Sequence, residues 1–177
     1  MCEFFATHCR DLIGSGRVTL DCGNYQEFLT RNASSVGRRV DLIISNFAPL
    51  NQADDLNRLF AKFHALTHPD GKLLLSVLNP YYIGDMRFRW WWRIAPRIWR
   101  DGHYSVPGGR APPHTRRRLA EFGDLSAPYF RLARVYRGLP SYRKQHVTGI
   151  DASHGSRFSW LQLAACQFVI LLFEKRE

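Results

Sequence analysis

The chain has no Cys-x-x-Cys pair, no internal repeat and no low-complexity tail. Its four cysteines, Cys2, Cys9, Cys22 and Cys166, are scattered and follow no secretory leader, which argues against a disulfide framework and for reduced thiols in a cytoplasm. Apolar runs are short. The longest candidate, Phe158 to Phe173, is only about sixteen residues and contains Gln162 and Gln167, so a bilayer span is excluded. His64 and His68 have zinc-like spacing, but no glutamate follows as in a metalloprotease helix and Pro69 ends the helix at once, so no metal is assigned. Acids are also scarce, at 15 against 25 lysines and arginines, a formal net charge of +10. At 177 residues the chain is long enough for one domain that buries roughly 70% of its unfolded surface.

Two short apolar runs carry the clearest signal. Leu42-Ile43-Ile44 and Leu73 to Leu78 read as buried parallel strands, each ending in small polar residues where the carboxyl edge of an open α/β sheet gathers ligands. Ligand chemistry is therefore expected near Asn46 and Asn79. Between the runs, Asp54-Asp55 open a helix whose Leu56, Leu59, Phe60, Phe63 and Leu66 recur at helical spacing. Pro69-Asp70-Gly71 then turns the chain into the second strand.

In the segments Asp41 to Phe47, Leu50-Asn51 and Pro69 to Val77 the chain resembles the second half of a class I S-adenosylmethionine-dependent methyltransferase. The resemblance implies an α/β fold with an incomplete Rossmann-like sheet, mostly parallel and closed by an antiparallel C-terminal strand. It places Asn46 and Phe47 beside the methionine part of S-adenosylmethionine, and Gly23, Asn24 and Tyr25 near the adenine, with Asn24 where an acid is usual. Asn46 is followed by Phe47-Ala48-Pro49 instead of the two prolines and aromatic of amino-methylating nucleic-acid enzymes, so a small-molecule or lipid-like acceptor is expected.

The same resemblance implies a leading strand, a Gly-x-Gly-type loop and a second strand ending in an acid, and none precedes the helix Cys2 to Ile13. Gly14-x-Gly16 is no substitute. It follows a helix and opens the strand Val18–Asp21, whereas a nucleotide loop follows a strand and opens a helix. The expectation is one N-terminally truncated domain over residues 1–177, a mis-started frame or degenerate copy, that binds S-adenosylmethionine weakly or not at all. Losing several hydrogen bonds at ~1 kcal/mol each would lower affinity by orders of magnitude.

The positive charge is local, with nine arginines and one acid between Met86 and Arg118. Here Arg87, Arg89, Arg93, Arg97 and Arg100 alternate with Phe88, Trp90, Trp91, Trp92 and Trp99, and Pro96 should kink or restart any helix. Three readings compete: a lid-like insertion over residues 80–113, a membrane-interface segment, and a surface that stacks bases and neutralises phosphates. The lid is preferred, and the absence of a nucleic-acid motif lowers the third. A non-catalytic module binding an anionic surface through residues 86–118, peripheral at a membrane, stands as the alternative function.

Further on, His103 to Pro113 reads as an irregular connection, Arg116 to Phe122 as a short helix capped by Thr115 and stopped by Gly123, and Pro140 to Arg157 as a polar loop. Phe130–Tyr136 and Phe168–Phe173 read as strands, the last buried on both faces. Methyl transfer needs an aligned nucleophile and exclusion of water, with a base only where the nucleophile carries a proton. His103, Tyr104 and His114 are the candidate catalytic residues, and Asn51, Trp90, Trp91 and Arg93 the candidate acceptor-binding residues.

Overall fold

Residues 7–8, 10–16, 25–30, 39–45, 48–106, 113–138, 149–151 and 164–176 are described by the computed structural model, and the chain divides into two units, Met1–Asn32 and Ala33–Glu177. In the first unit, helix α1 (Arg10–Gly14) stops as expected at its glycines. Ser15 N–H donates to Asp11 O and Gly16 N–H to Ile13 O, both at 3.0 Å, and Gly16 takes φ +70°, a left-handed conformation natural to glycine. Helix α2 spans Tyr25–Thr30. The expected strand Val18–Asp21 lies outside the described residues, as do Gly23 and Asn24.

The second unit is built on a sheet. Strand β1 (Val40–Ser45) leads through a 3-10 turn at Pro49–Gln52 to helix α3 (Leu56–Leu66). Asp55 caps α3 by accepting from Arg58 N–H at 2.9 Å, and Leu56, Leu59, Phe60, Phe63 and Leu66 are all buried. Phe60 sits 5.6 Å, ring centre to ring centre, from Phe173 and 6.5 Å from Phe130, which fastens the helix to the sheet.

Strand β2 starts at Thr67, earlier than the turn at Pro69–Gly71 implied, and runs to Leu78. The ladder with β1 passes from Val40 opposite Thr67 directly to Leu42 opposite Lys72, so the intervening residues bulge. Gly71 makes that bulge possible, since a Cβ there would lie 2.6 Å from Thr67 Cβ and 2.8 Å from the His68 carbonyl. His68 lies beyond the end of α3, so it does not share a helix with His64.

After β2 come a 3-10 turn at Ile83–Arg87, helices α4 (Arg89–Ile94) and α5 (Arg97–Asp101), strands β3 (His103–Val106) and β4 (His114–Arg117), and helix α6 (Leu119–Ser126). Pro96 separates α4 from α5, as its missing N–H requires. Strands β5 (Phe130–Gly138), β6 (Gly149–Asp151) and β7 (Phe168–Lys175) complete the unit. The sheet order is β1-β2-β7-β5-β6, with β1 and β2 parallel and β7 inserted antiparallel between β2 and β5. The fold is thus mixed α/β, closed by the antiparallel strand that the sequence implied. No helix among the described residues is long and apolar enough to cross a membrane.

Several expectations are corrected. β1 is not buried: it is an edge strand among the described residues, and Leu42 and Ile44 are 47% and 64% exposed. β7 buries Val169, Leu171 and Phe173 fully, while Ile170 and Leu172 on its other face are half-buried. His103–Val106 and His114–Arg117 pair as an antiparallel hairpin, so neither a loop nor a helix describes them. Gly123 lies inside α6 and does not stop it. β6 falls within the segment read as a polar loop.

Candidate functional site

The carboxyl ends of β1 and β2 carry a buried polar cluster to which the β3–β4 hairpin is fastened. Ala48 enters the turn after β1 at φ 57°, a left-handed conformation that costs a non-glycine residue roughly 1–2 kcal/mol and marks a constrained strand end. Asn51, 1% exposed, follows it. Its Oδ1 accepts the Leu78 N–H at 2.8 Å and its Nδ2 donates to the Thr115 carbonyl at 2.7 Å, so one side chain joins the turn, the end of β2 and β4. Asn79 is fully buried. It donates to the Cys166 carbonyl at 2.9 Å and accepts from Tyr81 N–H at 3.0 Å.

Strand alternation sorts the hairpin. Tyr104 stands opposite Arg116 and Val106 opposite His114, and this face is turned inward, while His103, Ser105, Thr115 and Arg117 occupy the other. Arg116 donates to the Asn79 carbonyl at 2.9 Å, forms a close ion pair with Asp85, and lies 5.8 Å from the centre of the Trp90 ring. Both charged groups are buried, so desolvation opposes them and the pair is retained only because each compensates the other. The Tyr104 hydroxyl donates to the Pro80 carbonyl at 2.9 Å, and burial pushes its pKa up to about 12. Burial likewise raises the Tyr81 phenol. At neutral pH the Tyr104 hydroxyl is therefore a hydrogen-bond donor, its proton held against removal.

Of the candidate catalytic residues, Tyr104 and His114 share the inward face of the hairpin, whereas exposed His103 lies on the outward face. Of the acceptor-binding candidates, Asn51 is part of the clasp, and Trp90 and Trp91 are half-buried against Ala95, Ile98, Tyr104 and Val106. Arg93 is exposed, away from the cluster interior. Tyr25 is half-buried at the start of α2 in the first unit. Asn46 and Phe47 lie outside the described residues. Sequence reasoning passed over Asp85 and singled out none of the arginines as its partner. The hairpin was the detectable signal, since His-Tyr-Ser-Val and His-Thr-Arg-Arg flank a Pro-Gly-Gly…Pro-Pro connection.

Against S-adenosylmethionine, the buried polar side chains of this edge do not fit the role of cofactor holders. Asn51 and Asn79 use their amides on the backbone, and Asp85 is committed to Arg116. None is left to grip ribose hydroxyls. The cluster is a floor that fixes the strand ends and the hairpin.

No protein-family model and no curated protein matches the sequence. The structure is similar to an S-adenosylmethionine-dependent methyltransferase from Clostridium acetobutylicum, with TM-score 0.52 and 12% identity over 95% of this chain and 70% of that one. It also aligns with 1,6-didemethyltoxoflavin-N1-methyltransferase from Burkholderia thailandensis (TM-score 0.43, 16% identity, 78% of this chain, 45% of that one). A Thermotoga maritima protein described as a possible histamine N-methyltransferase gives TM-score 0.46 and 12% identity over 82% of this chain and 62% of that one. This chain thus spans less than two thirds of the length of the last two proteins. The fold is that of the class I S-adenosylmethionine-dependent methyltransferases.

Proposed function

We propose that this chain serves methyl transfer from S-adenosylmethionine to a small-molecule or lipid-like acceptor, supplying the part of the domain that covers the acceptor and binding the cofactor only weakly by itself. The methyltransferase fold supports the reaction class. The observation that carries the reading is the hairpin fastened by Asn51 and Arg116 to the strand ends where such sheets take their ligands. With α4 and α5 it forms a lid in which Trp90 and Trp91 are packed between the helices and the hairpin. These rings exclude water, and the hydrogen-bonded floor holds their support rigid, which is what an in-line displacement asks of the protein. Weak cofactor binding follows from the committed state of Asn51, Asn79 and Asp85.

Titration of the 177-residue chain with S-adenosylmethionine, followed by backbone amide chemical shifts, tests both parts. Millimolar affinity with shifts gathered at Ser45–Gln52 and Leu78–Tyr82 is expected. Shifts elsewhere, or none at saturating ligand, would overturn the methyl-transfer reading. Micromolar affinity would instead overturn the claim of weak binding.

A further inference from the structure

We propose that the outer side of the α4–α5 lid is a docking surface for an anionic lipid bilayer. Among the described residues the exposed large apolar side chains occupy two places only, β1 and the stretch from Ile83 to Trp99. In the second place they are Ile83, Met86, Phe88, Trp92 and Trp99, with Trp92 and Trp99 exposed at 59% and 64%. The inner side of the same helices is already occupied, since Trp90, Trp91, Ile94, Ala95 and Ile98 pack toward Tyr104 and Val106. The lid therefore has one apolar side for the protein and a second that faces outward.

Charge selects the occupant. Arg87, Arg89, Arg93 and Arg97 are exposed between these rings and form no ion pair among the described residues. The two acids of the stretch are spoken for: Asp101 pairs with Arg100 at 2.7 Å and Asp85 is buried against Arg116. Exposed apolar side chains interleaved along the chain with guanidinium groups that form no ion pair among the described residues are complementary to acyl chains below an anionic headgroup layer. Nucleic acid fits less well, because Ile83 and Met86 offer no ring on which a base could stack. Trp92 adds a detail: its indole N–H already donates to the Met86 carbonyl at 2.8 Å, so its ring can leave water without abandoning a hydrogen bond. No helix among the described residues is long and apolar enough to span a bilayer, and the attachment proposed is peripheral.

This inference deepens the methyl-transfer reading by naming the surface from which a lipid-like acceptor would enter. It is tested by sedimenting the full chain with vesicles of phosphatidylcholine alone and of phosphatidylcholine mixed with phosphatidylserine. Binding to the mixed vesicles only is expected, accompanied by a blue shift of tryptophan emission. The Arg89→Gln, Arg93→Gln, Arg97→Gln triple variant should lower the partition coefficient roughly a hundredfold. Trp92→Ser with Trp99→Ser should abolish the blue shift, and circular dichroism of both variants should match the parent. Equal binding to neutral vesicles, no vesicle binding, or triple-variant loss of single-stranded nucleic-acid binding without vesicle binding would each overturn the proposal. Amide shifts with S-adenosylmethionine remain at the strand ends in the triple variant if the methyl-transfer reading holds, so the two readings fail separately.

Discussion

Arginines that look interchangeable in the sequence divide into two populations. Arg116, Arg117 and Arg118 work on the chain itself: Arg116 on Asp85 and Asn79, Arg117 on Glu121 at 2.5 Å, and Arg118 on the carbonyls of Ile98 and Trp99. Arg87, Arg89, Arg93 and Arg97 face outward without such partners among the described residues. The difference is one of local structure. Arg116 lies on a strand whose alternate residues are drawn against the sheet edge, and Arg118 reaches the last carbonyls of α5, where a cation is favoured. The outward set lies on short helices whose apolar needs are already met by Trp90, Trp91, Ala95 and Ile98. A run of like charges is thus a mixture of structural and available groups.

The comparison is broken most severely at Arg116. Arg116→Leu leaves the Asp85 carboxylate buried without its partner and should destabilise the second unit by about 3–5 kcal/mol in urea unfolding, with Arg116→Lys recovering only part of the loss. If the variant matches the parent, the buried pair is not what secures the hairpin.

An alkaline titration probes the same cluster through Tyr104. Its folded pKa is raised from 10.0 to about 12, so stability is fully present below pH 10 and falls as the unfolded chain releases the phenol proton first. Up to ~3 kcal/mol is at stake by the time pH passes the folded value. Tyr104→Phe should flatten this part of the pH profile.

Arg118→Ala removes the side-chain donors from the end of α5 and should cost about 1–2 kcal/mol, read as a lower melting temperature. At the bottom of the scale, Arg93→Gln should change stability by less than about 0.5 kcal/mol. A large loss there would erase the distinction between the two populations.

Much of the sheet is legible in the sequence, and for a physical reason. The α3 stripe from Leu56 to Leu66 and the runs of β2 and β7 are long enough for periodicity to identify them, and Pro96 interrupts the helices as its chemistry demands. β1 shows the limit. Leu42 and Ile44 have the same character as Leu73 and Leu75, yet the former are exposed and the latter wholly buried, because burial depends on which strands lie alongside. The hairpin carries a weaker signal for another reason: each strand has four residues, and its polar alternation gains its full meaning only when Tyr104 meets Arg116. Of the site, Asn51 and the region of Asn79 are readable as strand-end amides. The partnership of Asp85 with Arg116 spans 31 positions and is created by the fold alone.

The Asn51 clasp also gives the molecule an internal clock. The Leu78 amide proton is held by a side chain that is itself held by the hairpin backbone, so isotope exchange with heavy water at this one amide requires Asn51 to let go. If the hairpin lifts while the sheet stays intact, Leu78 will take up deuterium before Leu75 and Val77, which precede it in the same strand. The spread between those exchange times measures how often the covered edge opens.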